Sequence, residues 1–74
     1  MNYSYTDYPY YAKLELFHGI ETLVITEEDL IVVEDEGEIT HTIEKKVYTY
    51  DVNGMSITEI DTFTRQKIKE LTNA

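Results

Sequence analysis

Residues 14–44 read LELFHGIETLVITEEDLIVVEDEGEITHTIE, and this stretch decides the fold. It holds ten carboxylates, Glu15, Glu21, Glu27, Glu28, Asp29, Glu34, Asp35, Glu36, Glu38 and Glu44, and not one Lys or Arg. Between them lie the β-branched runs Leu23-Val24-Ile25 and Leu30-Ile31-Val32-Val33. A disordered acidic tail lacks such runs, because it cannot bury enough apolar surface to offset the entropy of ordering. The stretch therefore reads as folded strands that carry negative charge on an exposed face and in the turns.

Its individual strands follow from the same pattern. Ile20 to Thr26 is a β-branched strand, Glu27-Glu28-Asp29 is a polar break, and Leu30 to Glu34 is the next strand. The unbroken apolar run in that strand predicts burial on both faces, as a central strand beneath a helix. Asp35-Glu36-Gly37 marks a hairpin, with Gly37 supplying the positive φ of the turn. Beyond it, Ile39, His41 and Ile43 alternate with Thr40 and Thr42 in a strand from Glu38 to Ile43. After a break at Glu44-Lys45-Lys46, a further strand from Val47 to Val52 places Tyr48 and Tyr50 on one face.

Working outward to the N-terminus, Ala12, Leu14 and Leu16 alternate with Lys13, Glu15 and Phe17, which specifies a strand ending at a His18-Gly19 turn. Before it stand Tyr3, Tyr5, Tyr8, Tyr10 and Tyr11, five of the seven tyrosines, interrupted by Pro9. Pro9 has no backbone donor and biases Tyr8 towards extended geometry, so residues 1–11 read as an edge strand or an extended arm. Two readings of these tyrosines stand open: an aromatic lid over the protein's own core, or a contact surface for a partner.

Towards the C-terminus, Asn53-Gly54 is a strong turn signal, and Ser56 with Glu59 has the S-x-x-E spacing of a capping box flanked by a Met55/Ile60 hydrophobic staple. From there Ile57, Ile60, Thr64, Ile68 and Leu71 fall on one helical stripe, with Phe63 beside it. The expectation is a single α+β domain over residues 1–74. It comprises an antiparallel meander of four to five strands over 12–52 and one amphipathic helix over 56–72, packed on one sheet face. The other face stays open, for a partner or a second copy.

Composition narrows the function. The formal net charge of −9 opposes direct binding to nucleic acid or to an anionic membrane and points to a basic partner. From Lys45 onward the charges nearly balance, so the excess sits in the first two thirds. Without cysteine there is neither a disulfide framework nor a thiolate metal site, and in a chain of 74 residues that leaves a thin core which homodimerisation would reinforce. No apolar run approaches the roughly 20 residues of a membrane span, and the first residues carry no signal-peptide pattern, so a cytoplasmic protein is expected.

Catalytic constellations are missing from the pattern. There is no Cys nucleophile, no G-x-S-x-G, no Gly-rich phosphate loop and no H-E-x-x-H. His18 and His41 match no standard metal spacing. Asp35-Glu36-Gly37 lacks the alternating oxygen ligands of a calcium loop. Carboxylates in turns and alternating strand positions stay hydrated and ionised, unlike the buried acid of a glycosidase pair. We therefore expect no enzyme activity, no cofactor and no metal.

What remains is electrostatic. Alternate residues of a strand project about 6.8 Å apart and neighbouring strands lie about 4.8 Å apart, so carboxylates on a sheet form a grid of fixed charge. Such a grid can meet the Lys and Arg side chains of a nucleic-acid-binding cleft. The expected contact residues are Glu27, Glu28, Asp29, Glu34, Asp35, Glu36 and Glu38, with Tyr8, Tyr10 and Tyr11 as apolar anchors. In size, absence of cysteine, the Asp35-Glu36-Gly37-Glu38 cluster and the sheet-plus-helix plan, the chain resembles the small acidic inhibitors of bacteriophages and mobile elements. These include anti-CRISPR and anti-restriction proteins and uracil-DNA glycosylase inhibitors. The resemblance implies a host nucleic-acid-handling enzyme as target. The alternative expectation is a self-associating structural module that uses the Tyr-rich arm and the open sheet face, its charge serving solubility alone.

Overall fold

The computed structural model describes residues 2–74; Met1, the first residue of the expected Tyr-rich segment, lies outside them. Four antiparallel strands follow one another in the sheet as they do in the chain: β1 (Ser4–Asp7), β2 (Tyr10–Phe17), β3 (Ile20–Asp35) and β4 (Glu38–Asp51). One helix, α1 (Ile57–Thr72), closes the α+β domain. The expected meander and helix are both present.

Two expected breaks are continuous strand. Glu27-Glu28-Asp29 lies in the middle of the sixteen-residue β3, and Glu44-Lys45-Lys46 lies within the fourteen-residue β4. The register explains both at once, since Glu27 stands opposite Lys46 and Glu28 opposite Lys45. Two polar clusters that would each break a strand alone supply opposite charges across the ladder, a favourable cross-strand arrangement. The Glu28 carboxylate lies 3.5 Å from Lys45 Nζ. The five segments read as strands over residues 12–52 are thereby joined into three, β2, β3 and β4, and β1 makes the sheet four-stranded.

The Tyr-rich segment also divides. It forms the edge strand β1, a turn at Tyr8-Pro9 and the start of β2, which begins at Tyr10 and not at Ala12. Both β2–β3 and β3–β4 are joined by two-residue turns. His18 and Gly19 have φ of 50° and 78°, and Glu36 and Gly37 have φ of 50° and 83°. Positive φ at both central positions is the requirement of a type I′ hairpin, whose twist matches that of the strands.

Alternation along the strands sorts side chains onto two faces. Tyr10 and Ala12 of β2 and Leu23 and Ile25 of β3 point towards α1 and, with Val52, Ile60 and Ile68, form the buried core. Tyr3, Tyr5, Leu14, Tyr48, Tyr50, Met55, Phe63 and Leu71 pack around it. On the helix, Ile60, Thr64 and Ile68 are buried while Ile57 is exposed, so the stripe begins one turn later than its pattern suggests. Among the described residues Thr64 is the one buried polar residue, and its hydroxyl donates to the Ile60 carbonyl at 2.7 Å.

The helix start follows the sequence reading. Glu59 N–H donates to Ser56 Oγ at 3.2 Å and Ser56 N–H donates to Glu59 Oε1 at 3.1 Å, a complete capping box. These bonds hold the Glu59 carboxyl below the usual carboxylate range, chiefly through the Ser56 backbone N–H. On the β1 side, Tyr3 donates its hydroxyl to Asp61 Oδ1 at 2.8 Å, and Arg65 Nε lies 3.0 Å from Asp61 Oδ2. The Tyr3 hydrogen bond first, and the Arg65 bond second, lower the Asp61 pKa. The Arg65 guanidinium also sits 4.5 Å from the centre of the Tyr5 ring, tying the helix to the edge strand.

A depressed folded-state pKa contributes stability that is present above the unfolded value and lost as pH falls through the folded value. Asp61→Asn is therefore expected to lower the melting temperature at pH 6–7, and the gap from the parent chain is expected to close as pH falls below about 4, the ordinary Asp range. Thermal melts of both chains across pH check this, and a gap independent of pH would contradict it.

Candidate protein-binding surface

The longest dimension of the molecule is 53 Å, set by β3 and β4. A helix of sixteen residues is about 24 Å long, while a strand of sixteen residues spans about 54 Å. The helix therefore covers only the part of the hairpin that carries Leu23, Ile25, Tyr48 and Tyr50, and the rest projects as an arm from Leu30 to Ile43. Strand β2 ends its pairing at Tyr10 opposite Glu27, so neither edge of the arm has a neighbouring strand among the described residues.

The arm overturns one expectation. Leu30 to Glu34 is not a central strand buried on both faces: Leu30, Ile31, Val32 and Val33 are all exposed, Leu30 at 59%. On the face away from α1 lie Leu30, Val32 and Glu34 of β3, opposite Ile43, His41 and Ile39 of β4. On the helix-side face lie Ile31, Val33 and Asp35, opposite Thr42, Thr40 and Glu38. The open face of the arm is thus an apolar strip of Leu30, Val32, Ile39 and Ile43, with Ile39 63% exposed. Contiguous exposed apolar side chains of this kind mark interaction sites.

Charge is distributed along the arm by the same register. From Asp29 to Glu44 there are six carboxylates and no Lys or Arg. Four of these, Glu34, Asp35, Glu36 and Glu38, surround the terminal turn, where all are exposed. Glu36 occupies a left-handed position that Asn or Gly would fill at lower cost.

The other expected contact residues are elsewhere. Glu27, Glu28 and Asp29 lie at the root of the arm, about 20 Å from the tip by strand rise. There the Glu28 N–H donates to the Pro9 carbonyl at 2.9 Å, which sets the β1–β2 turn beside the root. Tyr8, at that turn, is 71% exposed, and Tyr11 is half-buried on the open face. Burial raises the Tyr11 phenol above its usual range, with the neighbouring Glu28 charge adding to it. Tyr10 is not an anchor: it is 5% exposed, part of the core, with its hydroxyl directed at Glu27 Oε1 at 3.4 Å. Burial likewise raises its pKa, and Glu27 reinforces the shift. The expected acidic surface is therefore two separate clusters, a bare one at the tip and a partly compensated one at the root.

His18 lies in the β2–β3 turn and His41 on the arm's open face, at opposite ends of the long hairpin. Among the described residues, no group of three or more His, Cys, Asp or Glu side chains is placed to hold a metal ion. No helix among them is long and apolar enough to cross a membrane, which says nothing of a β-barrel. Comparison with protein-family models, with curated proteins and with solved structures returned no match.

The arm and the core should respond differently to truncation. Leu30→Ser or Ile43→Ser is expected to cost under about 1 kcal/mol of unfolding free energy, as exposed positions do, whereas Leu23→Ala or Ile60→Ala should cost about 2–5 kcal/mol. Urea titration checks the contrast, and equal losses would contradict it. Relief of the left-handed Glu36 is expected to make Glu36→Asn more stable by about 0.5–1 kcal/mol, measured in the same titration.

Proposed function

We propose that this chain is a non-enzymatic protein-binding inhibitor, phage-encoded and acting in the bacterial cytoplasm, which presents the tip of its β3–β4 arm to the basic nucleic-acid-binding site of a host enzyme. The observation that carries the reading is the bare acidic tip: Glu34, Asp35, Glu36 and Glu38 around one exposed turn, on an arm that has no cation between Asp29 and Glu44.

The physical case has three parts. The two-residue Glu36-Gly37 turn gathers these carboxylates at a narrow tip, which suits a groove built to follow a single nucleic-acid strand. Carboxylates held there accept charge-assisted hydrogen bonds from Lys and Arg, and the net charge of −9 steers a basic partner towards them. Behind the tip, Leu30, Val32, Ile39 and Ile43 offer apolar contact that releases water on docking, and this supplies affinity that charge alone does not.

The test is capture from bacterial lysate at low salt, comparing the parent chain with Asp35→Lys/Glu36→Lys. The expected result is retention of a nucleic-acid-handling enzyme that salt releases and whose activity the parent chain inhibits. Retention by the charge-reversed variant, with unchanged circular dichroism, should fall at least about tenfold. Equal capture and inhibition by the two chains would overturn the reading.

A further inference from the structure

The outer edge of β4 is unpaired along its whole length: among the described residues the sheet ends there, with no strand beyond Glu38–Asp51. We propose that a second copy of this chain occupies that edge, pairing β4 with β4 in antiparallel register about Lys45 to form one continuous eight-stranded sheet. This inference goes beyond the basic-target reading and does not depend on it.

Three observations support it. First, the centre of β4 is self-complementary in charge and hydropathy. Residues 43–47 are Ile43, Glu44, Lys45, Lys46 and Val47. A two-fold axis through Lys45, perpendicular to the sheet, sets Glu44 against Lys46 of the second copy and Ile43 against Val47 of the second copy. Symmetry makes each pair twice. Side chains keep their faces under this operation, so Glu44 and Lys46 meet on the helix side, while Ile43 and Val47 meet on the open side. Opposite charges and β-branched residues directly opposite one another are the favourable cross-strand pairs. The one like-charge meeting is Lys45 with its own copy, and each ammonium already has Glu28 of its own chain 3.5 Å away.

Second, the molecule is too extended for its size. A chain of 8.7 kDa exposes roughly 4,700 Å² when folded alone, yet this one exposes 5411 Å². Its radius of gyration is 15.5 Å, against roughly 11 Å for a compact domain of this length. The excess area is of the order of the roughly 800 Å² per partner that a standard interface buries.

Third, the geometry pairs the edge that the single chain leaves bare. In this register the arm half of β4, Glu38 to Glu44, runs beside the body half of the second copy, and Thr42 and Thr40 stand next to its Tyr48 and Tyr50. The helix-side arm residues Ile31 and Val33 are one strand further out. They lie about 9.6 Å from β4 of the second copy by strand spacing, on the same face as its helix, whose flank carries Phe63 packed edge-on against Tyr50 at 5.5 Å. On that flank an open hollow of about 350 Å³ is lined by Met55, Thr62 and Phe63 among others. The acidic tips remain exposed at the two ends of the dimer.

Because the chain has no cysteine, a single introduced thiol reports the register directly. Under mild oxidation Lys45→Cys is expected to form a disulfide-linked dimer, since paired residues of antiparallel strands have Cα atoms about 4.5–5.5 Å apart. Val47→Cys, offset from its own copy by four residues, is expected not to. Sedimentation equilibrium should show a dimer of the parent chain. Glu44→Lys or Lys46→Glu alone should weaken it about tenfold, and the double exchange should restore it, which loss of folding would not do. A parent chain that sediments as a monomer at millimolar concentration would overturn the proposal, as would preferential cross-linking through position 47. A monomer that still captured its target would overturn this inference and leave the inhibitor reading standing.

Discussion

Everything distinctive about this molecule follows from a mismatch of length. A helix rises about 1.5 Å per residue and a strand about 3.4 Å, so α1 and β3, with sixteen residues each, cannot cover one another. The helix buries Leu23 and Ile25 and runs out before Leu30. The remaining hairpin has the hydropathy of a core strand but no layer above it. A two-stranded ribbon in water is marginal by itself, so the arm's own sequence calls for something to pack against it.

Charge decides which part of the hairpin faces what. At the root, Glu27 and Glu28 stand opposite Lys46 and Lys45, and this compensation keeps the strands paired past two polar clusters. At the tip no cation offsets Glu34, Asp35, Glu36 and Glu38. The long hairpin thus carries its two lysines at the root, where the ladder needs them, and leaves the far end uniformly negative. The tyrosines serve mainly as structure. Tyr10 is core, Tyr3 and Tyr5 anchor the helix through Asp61 and Arg65, and only Tyr8 stands clear.

The parts of the fold governed by local chemistry were legible in the sequence. Ser56 and Glu59 mark the helix start because capping satisfies orphan backbone N–H groups, and Glu36-Gly37 marks the hairpin because few residues accept positive φ. The arm was not legible from periodicity, because an apolar run in a strand looks the same under a helix and beyond its reach. The breaks expected at Glu27-Glu28-Asp29 and Glu44-Lys45-Lys46 are absent for a related reason: either cluster alone favours a break, whereas the ladder sets their opposite charges against each other. Counting outward from the Glu36-Gly37 turn sets residue 28 against 45 and 27 against 46. That count, with the length of the helix, contains the arm. Of the expected contact residues, the tip group was placed together by the turn, but Tyr10 was lost to the core because an aromatic edge residue and an aromatic core residue share one pattern.

Hydrogen exchange on the free chain at low micromolar concentration tests the central claim most directly, that its own helix covers only part of the long hairpin. Amides of Leu23 to Thr26 should be protected to the level of global unfolding, and amides of the arm, Leu30 to Ile43, should exchange by local opening at far lower free energy. Uniform protection along β3 from Leu23 to Val33 would contradict it, because the arm would then be held as firmly as the core with nothing packed upon it.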